Sequence, residues 1–182
     1  SEFVYRSSLI MKPIFSRAKK RPLRIVYAEG EDERVLQATQ HVIEEGLAHP
    51  ILIGRKEVVS SRIKRLNLRM QIGQDFELVD PQSDPRYHQY WTEYHRLMQR
   101  KGVAPDYAKI VIRTNASAIA SLMVHFDEAD CALCGPVGRY GHHLDSILDI
   151  IGLQPGVEVA AAMSIMVLEK GSFFFCDPYV NL

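Results

Sequence analysis

From residue 24 to residue 80 the chain alternates short apolar runs with amphipathic segments, and no hairpin turn joins one run to the next. RIVYAEG (24–30), HPILIG (49–54) and FELVD (76–80) read as strands. EDERVLQATQHVIEEG (31–46) and RKEVVSSRIKRLNL (55–68) read as the helices between them. Strands separated by helices pair in parallel through crossovers rather than as hairpins. The apolar runs carry little polar alternation, as expected of strands covered on both faces. The pattern therefore predicts an α/β fold, a three-layer αβα lobe with a mostly parallel sheet.

Local signals place the helices. In 31–46, Val35, Ala38 and Val42 recur at helical spacing, as do Leu36, Thr39 and Ile43. Glu31, Asp32 and Glu33 suit the positive end of a helix, and Gly46 can close it. Residues 84–102 predict a helix capped by Asp84, with Pro85 at its first position and an apolar stripe through Tyr87, Tyr90, Trp91, Tyr94, Leu97 and Met98. Residues 104–113 and 114–126 predict two more helices, the second facing inward through Ile119, Leu122, Met123 and Phe126. DCALCG (130–135) predicts a fourth buried strand. Residues 139–152 return to helix with Leu144, Ile147, Leu148 and Ile151 inside.

After LQPG the pattern changes. Residues 157–177 read as two strands joined at Glu169, Lys170 and Gly171, an antiparallel hairpin. Three segments result: 1–23 as a linker or seam, 24–152 as a first lobe, and 153–182 as the beginning of a second, truncated lobe. Residues 12–24 hold Lys12, Arg17, Lys19, Lys20, Arg21 and Arg24 without an acid. They read as a solvated face, and Pro13 and Pro22 predict that any helix there is short.

Composition narrows function. Lysine and arginine number 22 against 22 acids, which argues against an electrostatic grip on nucleic acid. No apolar run reaches the ~18 residues of a membrane span. The three cysteines read as reduced thiols in a cytoplasmic protein. Cys131 and Cys134 form a C-x-x-C, but residues three apart on a strand point to opposite sides, so structural thiols are favoured over a metal or redox pair. His142, His143 and Asp145 lack the convergent spacing of a metal site, because adjacent helical residues diverge by ~100°.

CGPVGRYGHH (134–143) links a strand to a helix, the place where α/β sheets hold ligands. Gly135, Gly138 and Gly141 let backbone approach a ligand, and the helix start favours an anion. A tight turn that needs glycine for steric reasons explains the same residues. The acids of AEGEDER (28–34) are open to two readings as well, catalytic carboxylates or helix caps.

RIVYAEGEDERVLQAT, PILIGRKEVVSSRIKRLNL, DPRYHQYWTEYHRLMQRKGV and EADCALCGPVGRYGHHL together resemble the phosphate acetyltransferase/butyryltransferase family. More closely, they resemble the phosphotransacetylase-like C-terminal domain of long bacterial NADP-dependent malic enzymes, with SEFVYRSSLIMKPIF similar to the seam between the two parts. The resemblance runs from Glu2 to Asn181. It implies two α/β lobes like those of isocitrate and isopropylmalate dehydrogenases, with a cleft between them. It implies acetyl-CoA or a related acyl-CoA as ligand, a homo-oligomer, and NADP with a divalent metal in the malic-enzyme part.

The anion- or acyl-CoA-binding candidates are Gly135, Gly138, Arg139, Tyr140 and His142. No catalytic or metal residue is assigned. An arginine of the active transferases falls on Asp145, which reverses the local charge, and a second falls on Met98. The resemblance therefore implies a regulatory acyl-CoA-binding and oligomerisation domain, with an active phosphate acetyltransferase as the alternative.

Overall fold

The computed structural model describes the backbone of residues 2–168, 170–178 and 180–181, and within these the side chains from residue 11 onward. The chain forms two compact units, Arg21–Gly152 and Ser1–Lys20 with Leu153–Leu182.

Helix α1, Glu2–Lys20, lies in the smaller unit and contains Pro13. The sequence predicted at most a short helix here. Helix nucleation is met once and each further residue adds a bond, so a long helix absorbs the bond that an internal proline removes. Arg17, Lys19 and Lys20 in the last turn complement its negative end.

The larger unit carries strands β1 (Leu23–Tyr27), β2 (Ala48–Ile53), β3 (Glu77–Val79) and β4 (Cys131–Leu133) in one sheet of order β3-β2-β1-β4. Every pairing in it is parallel, with Val26 opposite Ile51 and Ala132, and Leu52 opposite Leu78. Helix α2 (Glu33–Glu44) connects β1 to β2, and α3 (Lys56–Arg65) connects β2 to β3. Helices α4 (Tyr87–Met98), α5 (Pro105–Thr114) and α6 (Ala116–His125) fill the passage from β3 to β4, and α7 (Tyr140–Ile150) follows β4.

Alternation along the strands builds two cores. Val26, Ala28, Ile51, Ile53 and Val79 face a core that Tyr90, Ile112, Ile119, Leu122 and Met123 complete from α4, α5 and α6. Tyr27 and Leu52, on the opposite face, pack with Val35, Leu36, Val59 and Ile63 of α2 and α3. Successive strand residues point to opposite faces, so each short run feeds both cores and reads as continuously apolar. The result is the three-layer arrangement expected from the sequence.

Three local expectations are corrected. First, α4 begins at Tyr87 rather than at Pro85. Asp84 instead turns the chain: its Oδ1 accepts from the Arg86 amide at 2.8 Å. The Arg86 guanidinium is anchored between Asp84, Glu77 and Glu128, which fixes that turn outside the helix. Second, among the described residues β4 is an edge strand paired only with β1, so it is half-buried and Leu133 is 51% exposed. Third, α7 buries Ser146 and Ile150, while Ile151 is 45% exposed. Asn115 Nδ2 donates to Ser146 Oγ at 3.0 Å, which turns that face of α7 toward α6.

In the smaller unit, β5 (Met163–Leu168) and β6 (Gly171–Cys176) form the expected antiparallel hairpin, with Ile165 opposite Phe174. Glu169 of the predicted turn lies outside the described residues. Phe173, Phe174 and Phe175 are exposed, as are Met163 and Ile165.

Candidate functional site

The chain leaves β3 at one edge of the sheet and returns as β4 at the other, beside β1. Loops after β1 and β4 therefore diverge at their carboxyl ends, the switch point where open α/β sheets gather ligands. Gly30 lets the loop after β1 pass close over the end of β2. A Cβ there would sit 2.7 Å from the Ile53 carbonyl oxygen and 2.8 Å from Leu52 Cβ. The Gly30 amide donates to that same carbonyl at 3.0 Å.

This close approach places Glu31 over the end of β2. Glu31 Oε1 accepts from the Arg55 amide at 2.9 Å and from Arg55 Nε at 2.8 Å, and Oε2 accepts from Arg55 Nη2 at 2.8 Å. The Arg55 guanidinium holds the Glu31 carboxyl below its ordinary range. The Glu31 carbonyl in turn accepts from Arg62 Nη1. Asp32 caps α2 by accepting from the Arg34 amide at 2.9 Å, and the Arg34 side chain holds its carboxyl at about 2. Glu31 and Asp32 thus anchor arginines and a helix start.

These groups border a cavity of about 620 Å³. Ala28 and Glu29 enter it from the end of β1, Arg55 and Arg62 from the end of β2 and from α3, and Arg113 from α5. Arg113 Nη1 donates to the carbonyls of Pro81 and Gln82 at 3.0 and 2.7 Å, and its guanidinium lies 3.9 Å over the Tyr87 ring. Arg55, Arg62 and Arg113 were not singled out from the sequence. Only the position of Arg55, directly after a strand-ending glycine, pointed there.

The loop after β4 closes one side through Val137. Of the sequence candidates, Gly135, Gly138, Arg139, Tyr140 and His142 are all exposed, and none lines the cavity. The Gly135 amide donates to Glu29 Oε1 at 2.9 Å. Gly135 and Gly138 have φ of 117° and 102°, which non-glycine residues rarely adopt, so the turn itself requires them. Arg139 flanks the start of α7 with no side-chain cap, and the His142 amide donates to the Arg139 carbonyl at 3.1 Å.

The neighbouring His143 organises this loop. Its Nδ1 is 2.7 Å from the buried Ser117 Oγ and its Nε2 is 2.8 Å from the Val137 carbonyl. Arg34 Nη2 donates to the Pro136 carbonyl at 2.9 Å. Cys131 and Cys134 are free thiols, and burial raises both above the ordinary thiol value.

A family model described as phosphate acetyl/butaryl transferase matches residues 9–182. The chain belongs to this family. Within the phosphate acetyl/butaryl transferases, its similarity is to two kinds of protein. It is 50% identical over 181 residues to the NADP-dependent malic enzyme of Haemophilus influenzae, a match that takes in 100% of this chain and 24% of that protein. The NAD-dependent malic enzyme of Rhizobium meliloti is 46% identical, with the same coverage. The phosphate acetyltransferase of Nitratidesulfovibrio vulgaris is 29% identical over 92% of this chain and 23% of its own length. The EutD phosphotransacetylase from Staphylococcus aureus superposes with a TM-score of 0.79 at 24% identity, over 94% of this chain and 52% of that one, which shows a common fold.

The chain thus spans about a quarter of the malic enzymes it matches. Asp145, where the resemblance places an arginine of the transferases, is an exposed residue of α7. Met98, the second such position, is 5% exposed and packed in the core beneath α4. Among the described residues no helix is long and apolar enough to cross a membrane.

Proposed function

We propose that this chain is the phosphotransacetylase-like domain of a cytoplasmic malic enzyme, and that it binds acetyl-CoA or a related acyl-CoA without transferring the acyl group. Ligand binding tunes oxidative decarboxylation of malate by the malic-enzyme part, which carries the nicotinamide cofactor and a divalent metal. The domain also contributes contacts to a homo-oligomer. The whole-chain match to malic enzymes supports the first clause, because identity there is 50% against 29% for a phosphate acetyltransferase.

The observation that carries the non-transferring reading is Asp145. By the resemblance, this exposed carboxylate stands where the active transferases carry an arginine, so the local field opposes an anion there. Met98 reinforces it: a thioether in the core offers no donor to a ligand.

The alternative, an active phosphate acetyltransferase, draws support from the three arginines of the strand-end cavity. Incubating the full-length protein with acetyl phosphate and coenzyme A separates the two readings. No acetyl-CoA above the uncatalysed background is expected. Catalytic acetyl transfer by the unmodified protein establishes the alternative.

A further inference from the structure

Residues 135–138, on the rim of the strand-end cavity, are held in an unusual way. Glycines stand at both ends of the segment, Gly135 with φ of 117° and Gly138 with φ of 102°. All four residues are exposed. Among the described residues, no backbone–backbone hydrogen bond joins the segment to another element; the strand pairing beside it ends at Leu133.

Three side chains hold three consecutive backbone groups instead. Glu29, beyond the end of β1, accepts from the Gly135 amide at 2.9 Å. Arg34 of α2 donates to the Pro136 carbonyl at 2.9 Å. His143 of α7 reaches the Val137 carbonyl through Nε2 at 2.8 Å, and a carbonyl can only accept, so Nε2 carries a proton. The buried Ser117 of α6 fixes the other imidazole nitrogen at 2.7 Å. Exposed tethers of this kind open more readily than a strand ladder, and glycines absorb the dihedral change of a hinge.

We propose that residues 135–138 form a hinged strap on the cavity rim, closed by these three tethers and opened as one body about its two glycines. Occupancy of the cavity is linked to closure. Val137 lines the cavity, and so does Glu29, which holds the strap. An occupant meets Val137 only while the strap is closed, so it binds the closed state more tightly and shifts the strap toward it. The proposal rests on the acyl-CoA reading only for the identity of the occupant.

The test is amide hydrogen exchange in the full-length protein, resolved to single residues by fragmentation in the mass spectrometer. The Gly135 amide is the reporter, because Glu29 is its acceptor. Arg34→Met cuts the tether at Pro136 without touching Gly135, and the Arg34 side chain is 68% exposed, so the lobe tolerates the change. Exchange at Gly135 is expected to accelerate roughly 10-fold, the factor that one charge-assisted hydrogen bond carries. Glu29→Met, which removes the acceptor itself, is expected to accelerate it at least as much. Exchange in β1 is expected to stay unchanged in both variants, which reports a folded lobe.

Exchange at Gly135 that is unchanged in Arg34→Met overturns the strap as a single body. Unchanged exchange in Glu29→Met overturns the tether itself. The unmodified protein supplies an arm that needs no variant to fold: saturating acetyl-CoA is expected to slow exchange at Gly135. Acetyl-CoA that binds in equilibrium dialysis yet leaves Gly135 exchange unchanged overturns the link between occupancy and closure. Acetyl-CoA that does not bind overturns the acyl-CoA reading alone, and the Arg34→Met result then decides the strap.

Discussion

Replacing Gly30 by alanine tests the close passage of the loop after β1 over the end of β2, beside the cavity. The added Cβ would meet the Ile53 carbonyl oxygen at 2.7 Å, Leu52 Cβ at 2.8 Å and the Ile53 nitrogen at 2.9 Å. None of these atoms belongs to a flexible side-chain tip, so relief requires moving the loop after β1 away from the end of β2. Gly30 does not have a positive φ, so alanine brings no backbone strain of its own and the cost is steric. Overpacking of this kind costs about 1–3 kcal/mol, and three unyielding contacts place it at about 2–3 kcal/mol. For a chain of this size that lowers the melting temperature by roughly 4–12 °C.

Gly141→Ala is the internal control. Nothing lies within 4 Å of its Cβ, and it lies in the first turn of α7. Exchanging a helical glycine for alanine is expected to stabilise by about 0.5–1 kcal/mol. Thermal unfolding followed by circular dichroism reads both variants. A Gly30→Ala protein that melts no lower than the unmodified protein refutes the close approach and with it the placement of Glu31 over the end of β2.

Further outcomes follow from the ion pairs and from His143. Arg24 and Arg34 hold Asp130 and Asp32 at about 2, below their ordinary 3.8, so these carboxylates stabilise the fold above the ordinary value and lose that contribution as pH falls toward about 2. The double variant Asp32→Asn, Asp130→Asn is therefore expected to lose less melting temperature over that acid window than the unmodified protein. Arg86→Met leaves Asp84, Glu77 and Glu128 without their shared cation, and denaturant titration is expected to show a loss of about 2–3 kcal/mol. His143→Phe removes the tether from Ser117 to the Val137 carbonyl, so amide hydrogen exchange in residues 135–139 should accelerate while that of β1 stays unchanged.

The sheet was legible because its strands are covered on both faces. Val26, Ile51 and Val79 stand in unbroken apolar runs, and α2 and α3 separate them with clear helical spacing. The start of α4 was not, because its position depends on Arg86 reaching Glu128, 42 residues away along the chain. The edge position of β4 was equally hidden, since three apolar residues read alike at an edge and in the centre.

The strand-end cavity was legible as a place but not as a set of side chains. The glycine-rich loop after β4 does border the cavity, through Val137. Arg55, Arg62 and Arg113 come from the end of β2, α3 and α5, and only the fold brings them to one cavity. Arg62 and Arg113 each read locally as ordinary polar helix positions. The glycines at 135 and 138 serve the geometry of the turn, a use that looks identical to ligand approach in a sequence.

The most direct test of the central claim follows malate decarboxylation by the full-length protein as acetyl-CoA is titrated in. The regulatory reading predicts a saturable change in malate turnover that reverses when acetyl-CoA is removed. Turnover unaffected by acetyl-CoA across the physiological range contradicts it.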